Sequence, residues 1–404
     1  MKTIERTWVL LTCFLLAAFV ASPPLAPAEP DAPVKKPAEN VKKPAENVKK
    51  PAANVKKPAA PVRGKTEEEE EVNAGEGVPP ESRRRLGSRL SELRSKTLGG
   101  VQLWDDLLLF QKWRIQQHAL FGFCRLLDGD DKRHLRGTYE ECLAELEQIK
   151  REQKLPPMKG KAVVLVHGLG GWRATMQSLA DYLEKNGGYT VFNVGYASTR
   201  DDIASHARRL GGVIEHLDGI EELNFVAHSL GNVIVRRYMG DSQDAQAGRT
   251  PDPRIKRFVM IAPPNHGAAA AESWSDNDLF ELALGESAKE LGTGWPDIEK
   301  TLATPSCQFG IIAGGKGDDR GYNPALEGDN DGLLSVSTTR LVGARDFVLL
   351  PVLHPLSPKN AKVQEYTLKF LQKGYFISAD ERHPITAEEP PKPERTSAND
   401  KDDG

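Results

Sequence analysis

From Pro157 onward, short apolar runs alternate with longer stretches whose apolar residues recur at helical spacing. The runs at 162–166, 190–194, 224–227, 257–261, 308–313 and 347–352 have strand length, and each is bounded by polar or small residues. Between them, 174–185, 203–217, 230–239 and, at the end, 361–372 carry the 3.6-residue period of helices. Strand and helix in alternation call for an α/β fold, a mainly parallel sheet with helices on both faces. In such sheets ligands bind beyond the carboxyl ends of the strands.

Upstream the pattern changes. Leu103, Leu107, Phe110, Trp113, Gln117, Leu120, Cys124 and Leu127 fall on one face at helical spacing, flanked by Trp104, Leu108 and Ile115. A helix is expected there, and Asp105, Asp106, Lys112, Arg114 and Arg125 exclude a membrane span. Thr138 and Glu141 form a capping box for a further helix through Leu143, Leu146 and Ile149, stopping before Pro156-Pro157. With the basic, leucine-spaced segment at Leu86, Leu90 and Leu93, residues 81–157 read as a helical preface to a catalytic domain at 158–376. The stretch near 265–305 breaks the strand–helix rhythm and carries Trp274, Phe280, Leu284, Leu291 and Trp295, which suit a small apolar cap. Residues 377–404 read as a disordered polar tail.

The amino terminus is of another kind. Lys2 and Arg6 precede an apolar run at 8–21 that ends in small residues, the layout of a signal peptide over 1–28. Export across the cytoplasmic membrane is expected, to the periplasm, the envelope or the exterior, with an uncleaved anchor as the alternative. A seven-residue repeat, V-K-K-P-A-E-N, then runs from Val34 and degenerates by Pro61. A proline in every repeat forbids a coiled coil, so residues 29–80, which include the acidic run 67–71, are expected to be an extended linker. Its lysines either form a passive tether or touch an anionic envelope or membrane surface.

A net charge of −3 over 404 residues argues against nucleic acid as a partner. Cys13, Cys124, Cys142 and Cys307 show no metal-ligand spacing, and Cys124 and Cys142 are either buried thiols or a pair.

The candidate chemistry lies at strand ends. The run 224–227 passes into His228-Ser229-Leu230-Gly231 and then into a helix, so Ser229 sits on a sharp strand-to-helix turn. Large side chains two positions either side of it would collide, and Ala227 and Gly231 meet that demand. After the first strand, His167-Gly168-Leu169-Gly170-Gly171 lets backbone approach a bound carbonyl oxygen, so the N–H groups of Leu169 and Leu230 can form an oxyanion hole. No phosphate-cradling pattern is completed there, and no cofactor is expected. His354 follows the last strand on the side of the sheet a general base requires, whereas His266 follows the wrong strand. Of Asp318, Asp319, Asp329 and Asp331, Asp331 is the best placed acid, since D-G-L-L-S-V holds it tightly before an apolar segment, with Asp329 next. No complete calcium loop is legible among the four, and no metal is expected.

Residues 160 to 375 resemble an α/β-hydrolase, in particular the small bacterial triacylglycerol lipases and the PGAP1-like and DUF676-type serine esterases. The resemblance is carried by H-G-L-G-G at 167–171, A-H-S-L-G around Ser229, Asp331 in N-D-G-L-L-S-V and His354 in P-V-L-H. It implies a triad in the order Ser229, Asp331, His354, and hydrolysis of an ester or lipid substrate through an acyl-enzyme. Two alternatives stand beside it: an acyltransferase with the same triad, and a non-catalytic envelope-tethered binding module of the same fold.

Overall fold

The structure, a computed structural model, describes residues 101–242, 250–268 and 285–387. The expected signal segment, repeat linker and basic leucine-spaced segment, part of the cap, and the tail from 388 onward lie outside the described residues. No described helix is long and apolar enough to cross a membrane.

Four strands come first: β1 (Trp104–Phe110), β2 (Trp113–His118), β3 (Cys124–Leu127) and β4 (Arg133–Gly137), followed by helix α1 (Tyr139–Glu152). The larger sheet is built from β5 (Gly160–Val166), α2 (Arg173–Gly187), β6 (Thr190–Val194), α3 (Ile203–Glu215), β7 (Ile220–His228), α4 (Leu230–Ser242) and β8 (Ile255–Ile261). Short helices α5 (Glu286–Leu291) and α6 (Trp295–Glu299) follow, then β9 (Gln308–Gly314), α7 (Val336–Thr339), β10 (Asp346–Leu350) and α8 (Ala361–Lys373).

Strands β5 to β10 form one sheet in the order β10-β9-β8-β7-β5-β6, with every neighbouring pair parallel. All six lie on the runs that the sequence marks as strands. Because successive strand residues point to opposite faces, the near-continuous apolar runs feed two cores at once. Val163, Leu165, Val226, Val259, Ile261 and Ile312 pack with Met176, Leu179 and Leu183 of α2 and Val363, Phe370 and Leu371 of α8. Their alternates Val164, Val166, Phe225, Ala227, Phe258 and Met260 meet Leu210 and Val213 of α3 and Val233 and Ile234 of α4 on the other face. The fold is thus the α/β-hydrolase arrangement expected from the sequence.

The preface departs from expectation. The stretch expected as a long helix is instead the antiparallel meander β1-β2-β3-β4, and within the expected preface the described helix of any length is α1. Residues Phe110 and Trp113 face each other across a two-residue turn whose first member, Gln111, takes φ of 54°. That turn cuts the apparent helical stripe in the middle, and the residues spaced by three and four fall on separate strands. Leu108 and Ile115, flanking residues in the helical reading, are cross-strand partners at 4% and 0% exposure. Helix α1 keeps its expected capping box, with the Glu141 N–H donating to Thr138 Oγ1 and the Thr138 N–H to Glu141 Oε2. It packs on β2, β3 and β4, while β1 runs against α3. Cys124 and Cys142 are buried free thiols.

The beginning of the expected polar tail is also held. Ile385 is buried and exchanges backbone hydrogen bonds with Gly343 and Ala344, and the Asp346 carboxylate accepts from the N–H groups of Phe376 and His383. Ile377 packs on the core as well, so two apolar side chains and one buried carboxylate hold residues 377–387.

If the meander is core rather than ornament, Ile115→Ala should lower unfolding free energy by about 2–5 kcal/mol, the usual cost of emptying a fully buried aliphatic site. Urea denaturation checks it, and a loss under about 0.5 kcal/mol would count against this packing.

Candidate active site

Strand β7 is buried from Leu223 to His228 and lies inside the sheet, between β5 and β8. At its end Ser229 turns the chain with φ of 53°, a left-handed conformation that costs a side chain about 1–3 kcal/mol unless its surroundings enforce it. The surroundings do so. The Ser229 N–H donates to Ile261 O at 3.0 Å, and the Asn232 side chain donates to both Ser229 O and Ile261 O. Helix α4 passes so close to β5 that a Cβ at position 231 would stand 2.5 Å from Val166 O, so only glycine fits.

The turn brings three sequence-distant side chains into line. His354 Nε2 lies 2.9 Å from Ser229 Oγ, and His354 Nδ1 lies 2.6 Å from Asp331 Oδ2. His354 opens a 3-10 turn after β10, and its N–H donates to Asp331 O at 2.9 Å, so backbone and side chain are both registered on the aspartate. The other carboxylate oxygen of Asp331 accepts from the N–H groups of Leu333 and Leu334 at 3.0 and 2.8 Å. With Asp331 1% exposed and His354 5%, the serine is the end of the relay nearest solvent.

The rival residues are elsewhere. The carboxylate of Asp329 is spent on the N–H groups of Lys316, Gly317 and Asn330, and that of Asp318 on those of Arg320 and Gly321. Asp319 is exposed. His266 is exposed and pairs with Glu299 at 3.6 Å. Among the described residues, no group of three or more His, Cys, Asp or Glu is placed to hold a metal ion.

Loop 167–171 lies against the elbow: a Cβ on Gly168 would come within 2.9 Å of Ser229 Cβ. Among the described residues, neither the Leu169 nor the Leu230 N–H has an acceptor within the protein. His167 braces this loop from beneath, fully buried, with Nδ1 2.9 Å from Gly168 O and its ring stacked on Tyr196 at 4.1 Å. The Tyr196 hydroxyl donates to His167 O at 2.7 Å.

One residue of the site escaped the sequence reading. His228 sits inside the elbow motif, yet a histidine beside a nucleophile gives no signal of its own role. Its Nε2–H donates to His354 O at 3.0 Å, and the two imidazoles stand 4.8 Å apart. Burial first, and then the neighbouring His354, hold its pKa well below the usual histidine value.

Fold and site together have the layout of an α/β-hydrolase. Within the chain, residues 157–275 match the family model described as "Putative serine esterase (DUF676)". That span, under a third of the chain, carries loop 167–171 and Ser229 but not Asp331 or His354. The match supports a hydrolase of esters. No curated protein sequence matches the chain. Among solved structures it is similar to a Listeria innocua gene product at 16% identity, with 57% of this chain and 100% of that one covered and a TM-score of 0.40. It is also similar to a Bacillus licheniformis lipase in mature form, at 17% identity, 54% and 92% coverage and a TM-score of 0.39. A phospholipase from Legionella pneumophila aligns at 19% identity, 54% and 57% coverage and a TM-score of 0.39, so the chain spans a little over half of that protein. Likenesses at this distance carry no argument about activity.

The buried imidazoles set a pH dependence. Burial pushes His167 and His206 down to about 4, whereas the unfolded chain binds those protons near 6.5. The unfolded state therefore binds more protons between these values, and stability, fully present above about pH 6.5, is lost as pH falls toward 4. Each such histidine contributes a slope approaching about 1.4 kcal/mol per pH unit. Urea midpoints measured from pH 7 to pH 4.5 should fall steadily, and His206→Phe should flatten the fall.

Proposed function

We propose that this protein is a serine hydrolase that cleaves carboxylic esters through Ser229, His354 and Asp331. The observation that carries the reading is the unbroken line from Ser229 Oγ through His354 to the buried Asp331 carboxylate, with steps of 2.9 and 2.6 Å.

With His354 Nδ1–H donating to Asp331, Nε2 is the acceptor facing the serine hydroxyl. Ser229 Oγ attacks the ester carbonyl carbon while its proton passes to His354 Nε2. Asp331 keeps the imidazole in that tautomer and offsets the positive charge that forms on it. The carbonyl oxygen, now negative, receives the N–H groups of Leu169 and Leu230, the latter at the amino terminus of α4, where the helix dipole adds to the attraction. Collapse returns the proton from His354 to the departing alcohol and leaves the acyl group on Ser229. Water, activated by the same imidazole, then releases the acid. The substrate is accordingly a carboxylic ester, lipid or water-soluble, with water as the second reactant.

Ser229→Ala should lower ester hydrolysis by at least about 10⁴-fold and abolish labelling by a fluorophosphonate probe, with the melting temperature little changed. Labelling that persists in Ser229→Ala would sink the assignment. Asp331→Asn should cost about 10⁴-fold in kcat, whereas Asp329→Asn, which loosens only its own loop, should cost less than about tenfold. The reverse order would move the acid to Asp329. Product analysis with an alcohol acceptor present separates hydrolysis from acyl transfer: acid should dominate for a hydrolase, and new ester would dominate for a transferase.

A further inference from the structure

Loop 167–171 is held in part from outside the hydrolase sheet. Just before β1, the Gln102 side chain is fully buried, and its carboxamide bridges two loops at the carboxyl end of the sheet. Gln102 Nε2 donates to Gly171 O at 2.6 Å. Gln102 Oε1 accepts from the Ser198 hydroxyl at 3.1 Å and from the Thr199 N–H at 3.2 Å. Ser198, itself fully buried, in turn accepts the Gly170 N–H on its Oγ at 2.9 Å. The amide orientation is fixed by its partners, since exchanging its oxygen and nitrogen would set donor on donor at Thr199 and acceptor on acceptor at Gly171.

These bonds grip the two residues that follow Leu169. Gly170 turns the loop with φ of 66°, and its N–H and the carbonyl of Gly171 are both tied down, the one through Ser198 and the other by Gln102 directly. On the other side, Gly168 abuts Ser229. The peptide carrying the Leu169 N–H is thus clamped at both ends, and among the described residues that amide has no acceptor.

We propose that Gln102 and Ser198 are positioning residues that aim the Leu169 N–H at the oxygen on which negative charge develops. The inference rests on the ester-hydrolase reading above. Neither side chain touches substrate; each acts through the loop. An oxyanion-hole donor contributes by standing where the charge appears rather than by reaching for it, so freeing the loop weakens binding of the transition state more than that of the ester. The meander, whose first residues deliver Gln102, is then part of the catalytic apparatus and not only of the core.

The test compares wild type with Gln102→Leu, Gln102→Glu and Ser198→Ala on a soluble model ester. Gln102→Glu keeps the size but sets a carboxylate oxygen against Gly171 O, and Ser198→Ala removes one atom, so a folded variant is available even if Gln102→Leu is unstable. Each folded variant, as judged by its melting curve, should lose about 10- to 100-fold in kcat with KM within about twofold. Affinity for an acyl trifluoromethyl ketone, whose hemiketal oxygen is charged, should fall by the same factor as kcat. A purely structural role would lower the melting temperature and leave kcat and inhibitor affinity of the folded protein unchanged. If Ser198→Ala and Gln102→Glu keep kcat and ketone affinity within twofold while Ser229→Ala is inactive, the proposal falls and the hydrolase reading stands. A folded wild type that neither cleaves esters nor takes up a fluorophosphonate overturns both.

Discussion

The left-handed turn at Ser229 is the constraint on which the rest of the site depends. A serine does not hold a φ of 53° by preference. It is held here because the chain leaves β7 through a stair of backbone bonds: the Ser229 N–H to Ile261 O, the Ala262 N–H to Ile312 O, and the Gly315 N–H to Leu350 O. Each strand end is thereby pinned to the next strand in the sheet, from β7 through β8 and β9 to β10. Ala262 adopts the same strained region, with φ of 45°, one strand further along. Strain stored at Ser229 is thus supported by neighbours that hand the load across the sheet toward the two loops that bear Asp331, after β9, and His354, after β10. The half-buried hydroxyl is thereby held at the carboxyl end of the sheet, in line with His354.

The electrostatics of the site follow from burial. His167 and His228 flank the reacting centre and are both held neutral at ordinary pH by desolvation. Neither sets a positive charge beside His354. The one buried carboxylate of the relay has its lone pairs taken up by two amides and an imidazole, which is the condition for keeping an acid in a dry place. The acid of the relay is therefore fully hydrogen-bonded where it is buried.

Much of this was legible in the residues. Apolar runs of strand length marked all six parallel strands, because a strand buried on both faces can be little else. Ala227 and Gly231 betrayed the elbow, since steric crowding there tolerates almost nothing larger. Asp331 stood out from Asp329, two residues away, only through the apolar segment that follows it, and the buried position of the one against the loop-tying role of the other has the same origin. The meander was not legible for an equally physical reason. Between residues 103 and 127, spacings of three and four arise from short strands interrupted by tight turns, and they imitate a helix. Turn-forming residues do stand at Gly122 and at Asp128-Gly129 and were passed over in favour of the helical stripe, while the first turn, Gln111-Lys112, carries none of the usual turn residues. His228 and Gln102 were missed because each acts through a partner on a distant element, which no local pattern announces.

The meander and the hydrolase sheet are not two bodies in contact. Leu108, Ile115 and Leu126 belong to the same apolar cluster as Val164, Phe192 and Phe225. An apolar contact of this kind supplies energy but little direction, since hydrophobic burial is non-directional. Direction comes from two buried carboxylates on β1. Asp106 accepts from the Gly195 N–H at 2.7 Å as well as from Arg114 and Gln116, and Asp105 accepts from the Ala197 N–H at 2.9 Å. Burial pushes the Asp105 pKa up, so this position is held against a desolvation cost and gives a register in return. The amides they satisfy lie on the loop after β6, which also holds Ser198. Sliding β1 by one residue would leave two carboxylates and two amides unpaired in the interior. The register of an antiparallel sheet that carries no catalytic group thereby becomes fixed relative to the carboxyl end of the parallel one, where the chemistry is.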